Sequence, residues 1–516
     1  KFAEPHCDIG VIHRATGRLD DAAESYHKAL KINPDIPEAN ANLANSLREL
    51  GQLEHALQYY EKAIKLKPDF AEAYYNLGMT LNLLDRQKEA DTYLQKAISL
   101  NPESPSAHTE LGSVYWKGGY TDKAAACFML ALEIDSTFSP AHTNMAAVHF
   151  KKHQFEDAIA CARKAIDLNP NDVSSFNILG GSLHQLGQIE EGYTKMLRGI
   201  SIDPTNAETR FNMGISLLLR GKFEEGWPAF EYRLKNNLLK LDRGFDRPYW
   251  QGEELGDKTL LIYTEQGLGD TIQFGRYIPH VRAHVKNIIL EIEEKLVETM
   301  RPLIGDIPVI IKGKVRLPSF DVHSPLTSLP GICKTNLETI PATTPYLKAD
   351  PIRVRWWRDR LAGEDLKIGL VWSGNPEHSN DKSRSMPLEE IKPLLALKGI
   401  RLYGLQVGEA ARQLQEPWAA PIEDLSELLT SFSETSAAMM NLDLTISVDT
   451  APAHLAGALG RPVWAMLAHV SDWRWMRDRD DTPWYPTMRL FRQQTRGDWT
   501  KPVLEIKKAL QEKIAS

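Results

Sequence analysis

The 516 residues hold only four cysteines, Cys7, Cys127, Cys161 and Cys333, with no C-x-x-C spacing. Such scatter excludes a zinc ribbon and gives no disulfide framework, so a reducing, cytoplasmic setting is expected. No apolar run approaches a membrane span, and no signal peptide is visible. The excess of acidic over basic residues is small, a net charge of -7, which argues against a nucleic-acid or membrane-surface binder. No His/Cys cluster suggests a bound metal, so no metal and no cofactor is expected. Gly267-Leu268-Gly269 lacks the third glycine of the dinucleotide fingerprint, because residue 272 is Ile, which disfavours a nicotinamide enzyme.

A period of 34 residues dominates the first half. Pro34, Pro68, Pro102, Pro170 and Pro204 are spaced by it or by twice it, with Ser136 in the remaining slot. Alanines recur at fixed offsets (Ala22 and Ala29, Ala56 and Ala63, Ala90 and Ala97, Ala124 and Ala131, Ala158 and Ala165), and small residues at Gly10, Ala44, Gly78, Gly112, Ala146, Gly180 and Gly214. Two amphipathic helices per unit, with small residues where they cross and Pro closing the second, make a tetratricopeptide repeat. About seven units are expected over residues 1–238, the last capped by the bulky Trp227-Pro228. Asn42, Asn76, Asn144 and Asn212 share one place in the unit, where Asp8, Glu110 and Ile178 stand in the others. An amide donates to a C=O and accepts from an N–H, so such a ladder can grip a peptide backbone; a solvated spacer is the plainer reading.

From about residue 239 strands alternate with helices, which predicts parallel sheets covered on both faces. Two Rossmann-like lobes are expected, 239–350 and 351–516, with ligands between the carboxyl ends of their strands. Strands are expected at 260–263, 287–292, 309–311, 368–372, 402–406, 444–448 and 463–467, and residues 317–347 as loop. Three turns carry the polar groups. The first, with Gln266, Gly267, Gly269 and Asp270, leads from a strand into a helix; Asp270 is a cap or a base. The second holds Ser373 and Asn375, continuing to Lys382 and Arg384. The third, Asp449, Thr450, Ala451 and His454, opens a helix whose N–H groups could hold phosphate, with Arg384 or Lys382 neutralising it. Gln406 ends the neighbouring strand. Trp372, Tyr403 or Trp473 could stack on a base or sugar.

Three of these stretches, LLIYTEQGLGDTIQFGRYIP, DKSRSMP and SVDTAPAHLAGALGRPVWAM, resemble the ADP-heptose:lipopolysaccharide heptosyltransferase family, which has the two-Rossmann GT-B fold. The resemblance implies a glycosyltransferase of hexosyl or heptosyl type. Asp270 would be the general base on the acceptor hydroxyl, Arg384 the basic residue three places before a Pro, and Asp449, Thr450 and His454 part of the donor-phosphate motif. Ala451 stands where many members have Gly, Glu265 where Ser or Arg is frequent, and Ser471–Pro486 has no counterpart in those motifs. The whole chain resembles bacterial tetratricopeptide-repeat glycosyltransferases, some of which modify flagellin or other proteins. Its layout is similar to O-linked N-acetylglucosamine transferase, whose asparagine-lined groove holds peptide. The resemblance thus implies inverting, metal-independent transfer from a nucleotide-sugar donor to a protein or peptide acceptor, with no nucleic acid involved. A non-catalytic repeat scaffold with a degenerate transferase half is the alternative.

Overall fold

The 34-residue period is realised as paired helices in a computed structural model that describes residues 2–236, 238–378 and 380–515. The first helices of the pairs begin at Glu4, Pro37, Ala71, Pro105, Ser139, Val173 and Ala207, and the second at Leu19, Leu53, Gln87, Thr121, Phe155, Ile189 and Phe223. The second helices therefore start one period apart throughout. The periodic alanines are the crossing points: Ala22, Ala56, Ala90, Ala124 and Ala158 are fully buried. At Gly112 a Cβ would lie 2.4 Å from the Phe128 ring, and at Gly214 one would lie 2.6 Å from the backbone N of Phe230. Only glycine permits that approach. Each prolyl mark falls after a helix has ended, as at Ile32, Asn33, Pro34, where Pro cannot continue the helix.

The chain divides into two compact units, Lys1–Leu183 with Ser201–Asp203, and His184–Ile200 with Pro204–Ser516. The repeat pattern thus outlasts the first unit. Its last helices, Ile189–Ile202 in large part and Phe223–Phe230, fold with the α/β half. Leu218, Phe223, Trp227 and Phe230 share one hydrophobic core with both lobes of that half, and Trp227 Nε1 donates to the Thr335 carbonyl at 2.7 Å. Trp227 is a cap in this sense: its ring is buried against the α/β half instead of offering a face to another repeat, while Pro228 stays exposed.

The α/β half has two parallel sheets. The first comprises β1 (Thr259–Tyr263), β2 (Asn287–Ile292), β3 (Val309–Ile311) and β4 (Val322–Pro325), in the order β3-β2-β1-β4. The second comprises β5 (Leu366–Val371), β6 (Ile400–Gly404), β7 (Ile422–Asp424), β8 (Leu444–Val448), β9 (Val463–Leu467) and β10 (Met488–Arg492), in the order β10-β9-β8-β5-β6-β7. All-parallel pairing with apolar strands such as LTISV, buried throughout, follows from helices on both faces. β2, β3, β8 and β9 have the expected bounds, and the expected strand 402–406 lies two residues earlier. β4, inside the stretch expected as loop, and β7 and β10 are additional. β4 reads VHSP, yet pairs with β1 through Leu261↔His323 and Ile262↔Ser324. Partners absorb its polarity, His323 Nε2 sharing a hydrogen bond with the Arg247 carbonyl at 3.0 Å.

Strand order reverses between β1 and β4 in the first sheet and between β5 and β8 in the second. Ligands of open α/β sheets bind outside the carboxyl ends of strands at such points. The turns after β1, β5 and β8 are the three singled out from sequence.

Candidate active site

The turn after β1 enters the helix Leu268–Phe274, and the turn after β8 enters the helix Ala451–Ala458. The two helix starts meet. A Cβ on Gly269 would lie 2.9 Å from His454 Cδ2 and 3.6 Å from Ala451 Cα. At Gly269, then, the room a glycine leaves is filled by the His454 ring. Asp270 is three residues past the helix N-cap, Gly267, and its Oδ2 accepts the Gly267 N–H at 2.8 Å. That is the reciprocal half of a capping box, Gly267 having no side chain for the other half. The other oxygen, Oδ1, is taken by the Arg474 guanidinium. Gln266 is half-buried, and Gly267 is exposed.

Arg474 was not singled out from sequence. It lies in the 3-10 turn Trp473–Trp475, is 6% exposed, and also donates from Nη1 to Asp472 Oδ1 at 2.7 Å and from Nε to Gln273 Oε1 at 2.6 Å. Burial alone would weaken its charge; Asp472, Asp270 and Asp449 outweigh that and push it above the usual guanidinium range. The neighbours in this turn are equally committed. Trp473 packs on Trp227, Phe230 and Trp484 with ring centroids 5.3, 5.9 and 6.1 Å apart. Trp475 stacks on His454 at 5.2 Å. Arg276, two helical turns on from Asp270, anchors the same segment through Nη1 to the Trp484 carbonyl at 2.6 Å. The only trace of this in the sequence is an arginine between two tryptophans just past a strand end.

In the second lobe, burial first and the Asp472 carboxylate second push Asp449 up to about 6, against Trp475, Arg384 and Arg474. His454 is held well below its usual range by burial, then by Arg474, Arg276 and Arg384, and its Nδ1 shares a hydrogen bond of 3.0 Å with the Tyr485 hydroxyl. A neutral imidazole is the result. Thr450 is the N-cap of the helix but bonds back to the Val448 carbonyl at 3.3 Å, so its side chain caps nothing. Pro452 occupies the second position of that helix. Arg384 is half-buried, its Nε 3.5 Å from Asp381 Oδ1 and without a hydrogen-bond partner. Its charge acts on both Asp449 and His454. Lys382 and Asn375 are exposed, Asn375 turning its carbonyl to the Glu377 N–H at 3.2 Å. Gln406 Oε1 accepts the N–H groups of Trp372 and Ser373 at 3.2 and 2.9 Å, which fixes the loop after β5. His378 on that loop lies within reach of charges from both lobes: desolvation and Arg384 lower it, whereas Asp270, Asp472 and Asp381 oppose.

The stacking expectation fails at all three aromatics. Trp372, Tyr403 and Trp473 are 1%, 0% and 3% exposed, each consumed by a core. Glu265 has its own reason to be here: Arg233, just past the last repeat helix, reaches its Oε1 with Nη2 at 2.9 Å, and burial raises it above the ordinary carboxylate range. A cavity of about 600 Å³ opens elsewhere in the first lobe, lined by Arg243, Phe245, Glu291, Lys314, Arg316 and Phe320; Asp270 is not part of it.

In the first unit, Asn42 lines a cavity of about 310 Å³ with Arg14, Tyr26 and Glu49. Asn144 is half-buried, and Asn76 is 6% exposed. Glu110 breaks the ladder, its carboxylate taking the Asn82 amide at 2.6 Å. Asn212 is half-buried in the second unit.

The Asp449 environment gives a signed prediction. A carboxyl raised from 3.8 to about 6 contributes stability that is full below the lower value and lost as pH rises through the upper one. At neutral pH its ionised form therefore costs about 2–3 kcal/mol. Asp449→Asn should raise the unfolding midpoint at neutral pH and flatten the wild-type gain between about pH 7 and 5. Urea titrations at both ends of that window check it; an unchanged pH dependence contradicts it.

Repeated helix pairs followed by two parallel sheets, whose helix starts after β1 and β8 meet, give a tetratricopeptide-repeat array joined to a two-lobed α/β half. Comparison with known proteins agrees. Models for TPR repeats match residues 10–47, 44–85, 71–104, 105–138 and 139–172, and the model for glycosyltransferase family 9 (heptosyltransferase) matches 422–501. That match runs through Ser471–Pro486, so the segment expected to lack a counterpart lies inside the family pattern. Protein FlbA of Caulobacter vibrioides is 27% identical over 319 residues, 56% of this chain and 52% of its own. The chain thus spans about half the length of that curated relative. Solved structures that match include MamA, 30% identical over 31% of this chain and 95% of that one with a TM-score of 0.29. A thermophilic TPR protein of Thermus thermophilus is 26% identical over 35% and 98%, with a TM-score of 0.32. No helix among the described residues is long and apolar enough to cross a membrane.

Proposed function

We propose that the chain transfers a sugar from a nucleotide-sugar donor to an acceptor hydroxyl, a protein Ser or Thr presented by the repeats, with inversion and without a metal. The observation that carries this is the meeting of the Asp270 turn with the start of the helix Ala451–Ala458 at the switch points of two sheets. The donor diphosphate would lie against that helix start, its charge met by Arg384. The acceptor oxygen attacks the anomeric carbon, the bond from that carbon to the diphosphate oxygen breaks, and the diphosphate leaves with the electron pair. The acceptor proton passes to Asp270 Oδ1. A single displacement with one base gives inversion. Asn42, lining a cavity of the first unit, supports a peptide in the repeat groove.

A scaffold whose α/β half binds a nucleotide-sugar without turnover is favoured by one fact: both Asp270 oxygens are engaged, by a backbone N–H and by Arg474. Intact-mass analysis of candidate acceptor proteins incubated with UDP-, ADP-, GDP-, dTDP- and CMP-sugars decides between the two. A mass gain of one sugar residue with one donor is expected; none with any donor, while the nucleotide still raises the melting temperature, identifies the scaffold.

A further inference from the structure

Arg474 joins three things that are far apart in sequence. Its guanidinium takes Asp270 of the first lobe with one nitrogen and Asp472 of the second with another, and its third nitrogen bonds Gln273 Oε1 one turn beyond Asp270. Its guanidinium carbon also lies against two aromatic rings, 5.1 Å from the Phe274 centroid and 4.5 Å from that of Trp473. Trp473 in turn is wedged against Trp227 and Phe230 of the last repeat helix. A guanidinium is planar and its donors point in fixed directions, so three acceptors fix both its plane and the carboxylate it holds. The charge count points the same way. Asp270, Asp472 and Asp449 all act on this one cation, which offsets part of the negative charge that an anionic donor would meet beside them.

We propose that Arg474 is the positioning residue of the transfer reaction. It aims the Asp270 carboxylate across the lobe boundary at the donor-side helix, and Trp473 fixes it to the end of the repeat array. The proposal rests on the glycosyl-transfer reading of this site. Arg474 touches Asp270, not the substrate. Lysine could reach one carboxylate but has no fork with which to span both.

The test uses the full chain and two kinds of measurement. In steady-state transfer, Arg474→Ala should lower kcat by about 30- to 100-fold with the donor KM within about threefold, the size expected when a reacting group is misplaced by an ångström. Arg474→Lys should recover only a small part of the loss. Millimolar guanidinium should partly restore Arg474→Ala but not Asp270→Asn, a rescue that a purely structural role would not produce. A melting-temperature cycle needs no donor: Arg474→Ala and Asp270→Asn should each lower the midpoint, and the double variant by clearly less than their sum. Wild-type transfer with Arg474→Ala within threefold of it, or additive midpoint losses, overturns the proposal. Absence of wild-type transfer with every donor, alongside a sub-additive cycle, instead overturns the transfer reading and leaves the Arg474–Asp270 pairing standing.

Discussion

Asp270→Asn is expected to reduce sugar transfer by about two to four powers of ten, the usual contribution of a positioned general base. Asparagine is the informative replacement because it preserves the local fold. Its Oδ1 can still accept the Gly267 N–H that Asp270 accepts at 2.8 Å, so the helix Leu268–Phe274 keeps its cap. The amide NH₂ then faces Arg474, two donors against each other, and the guanidinium falls back on Asp472 at 2.7 Å and Gln273 at 2.6 Å. A stability loss of about 1–2 kcal/mol follows from that lost charge-assisted bond, too little to unfold the chain. Turnover per folded molecule, from intact mass against time, is the readout. Donor KM should change little, because Arg384 and the start of the helix Ala451–Ala458, the proposed diphosphate contacts, are untouched. Turnover within tenfold of wild type would take Asp270 out of the base role and favour the scaffold.

Asp270 also shows what a sequence can and cannot yield here. Its place was legible because strand, Gly-rich turn and helix form a local pattern. The strands β2, β3, β8 and β9 were legible for the same reason, as short apolar runs bounded by turns. Whether Asp270 caps or acts as a base was not a local question: its second oxygen is held by Arg474, 204 residues away. β4 escaped notice because VHSP looks like loop, and only the ladder with β1 and the Arg247 carbonyl make its buried histidine tolerable. Gln406, expected to end its strand, lies two residues past β6, and its side-chain carbonyl is used on the backbone of Trp372 and Ser373. The expected sugar-stacking aromatics failed for one reason: the cores take the rings of Trp372, Tyr403 and Trp473 first.

Trp473→Ala should give the largest stability effect, a loss of about 3–5 kcal/mol, as deletion of a buried indole usually does. Trp473 is 3% exposed and stands where three parts of the second unit converge. Trp227 and Phe230 come from the last repeat helix, Phe274 from the helix that carries Asp270, and Trp484 from its own segment. The hole left by alanine cannot close readily, since Trp227 is tied to the Thr335 carbonyl at 2.7 Å and the Trp484 carbonyl to Arg276 at 2.6 Å. Eleven of the twelve tryptophans, all but Trp116, lie in the second unit, so tryptophan fluorescence during urea unfolding reports on this half almost alone. Trp473→Phe, which keeps a ring against Trp227, should cost distinctly less. The same cavity removes the ring against the Arg474 guanidinium, so transfer by folded Trp473→Ala should fall with that of Arg474→Ala. A Trp473→Ala variant that keeps wild-type turnover while losing stability would separate the two roles, leaving this indole as packing and Arg474 as fixed by its own hydrogen bonds alone.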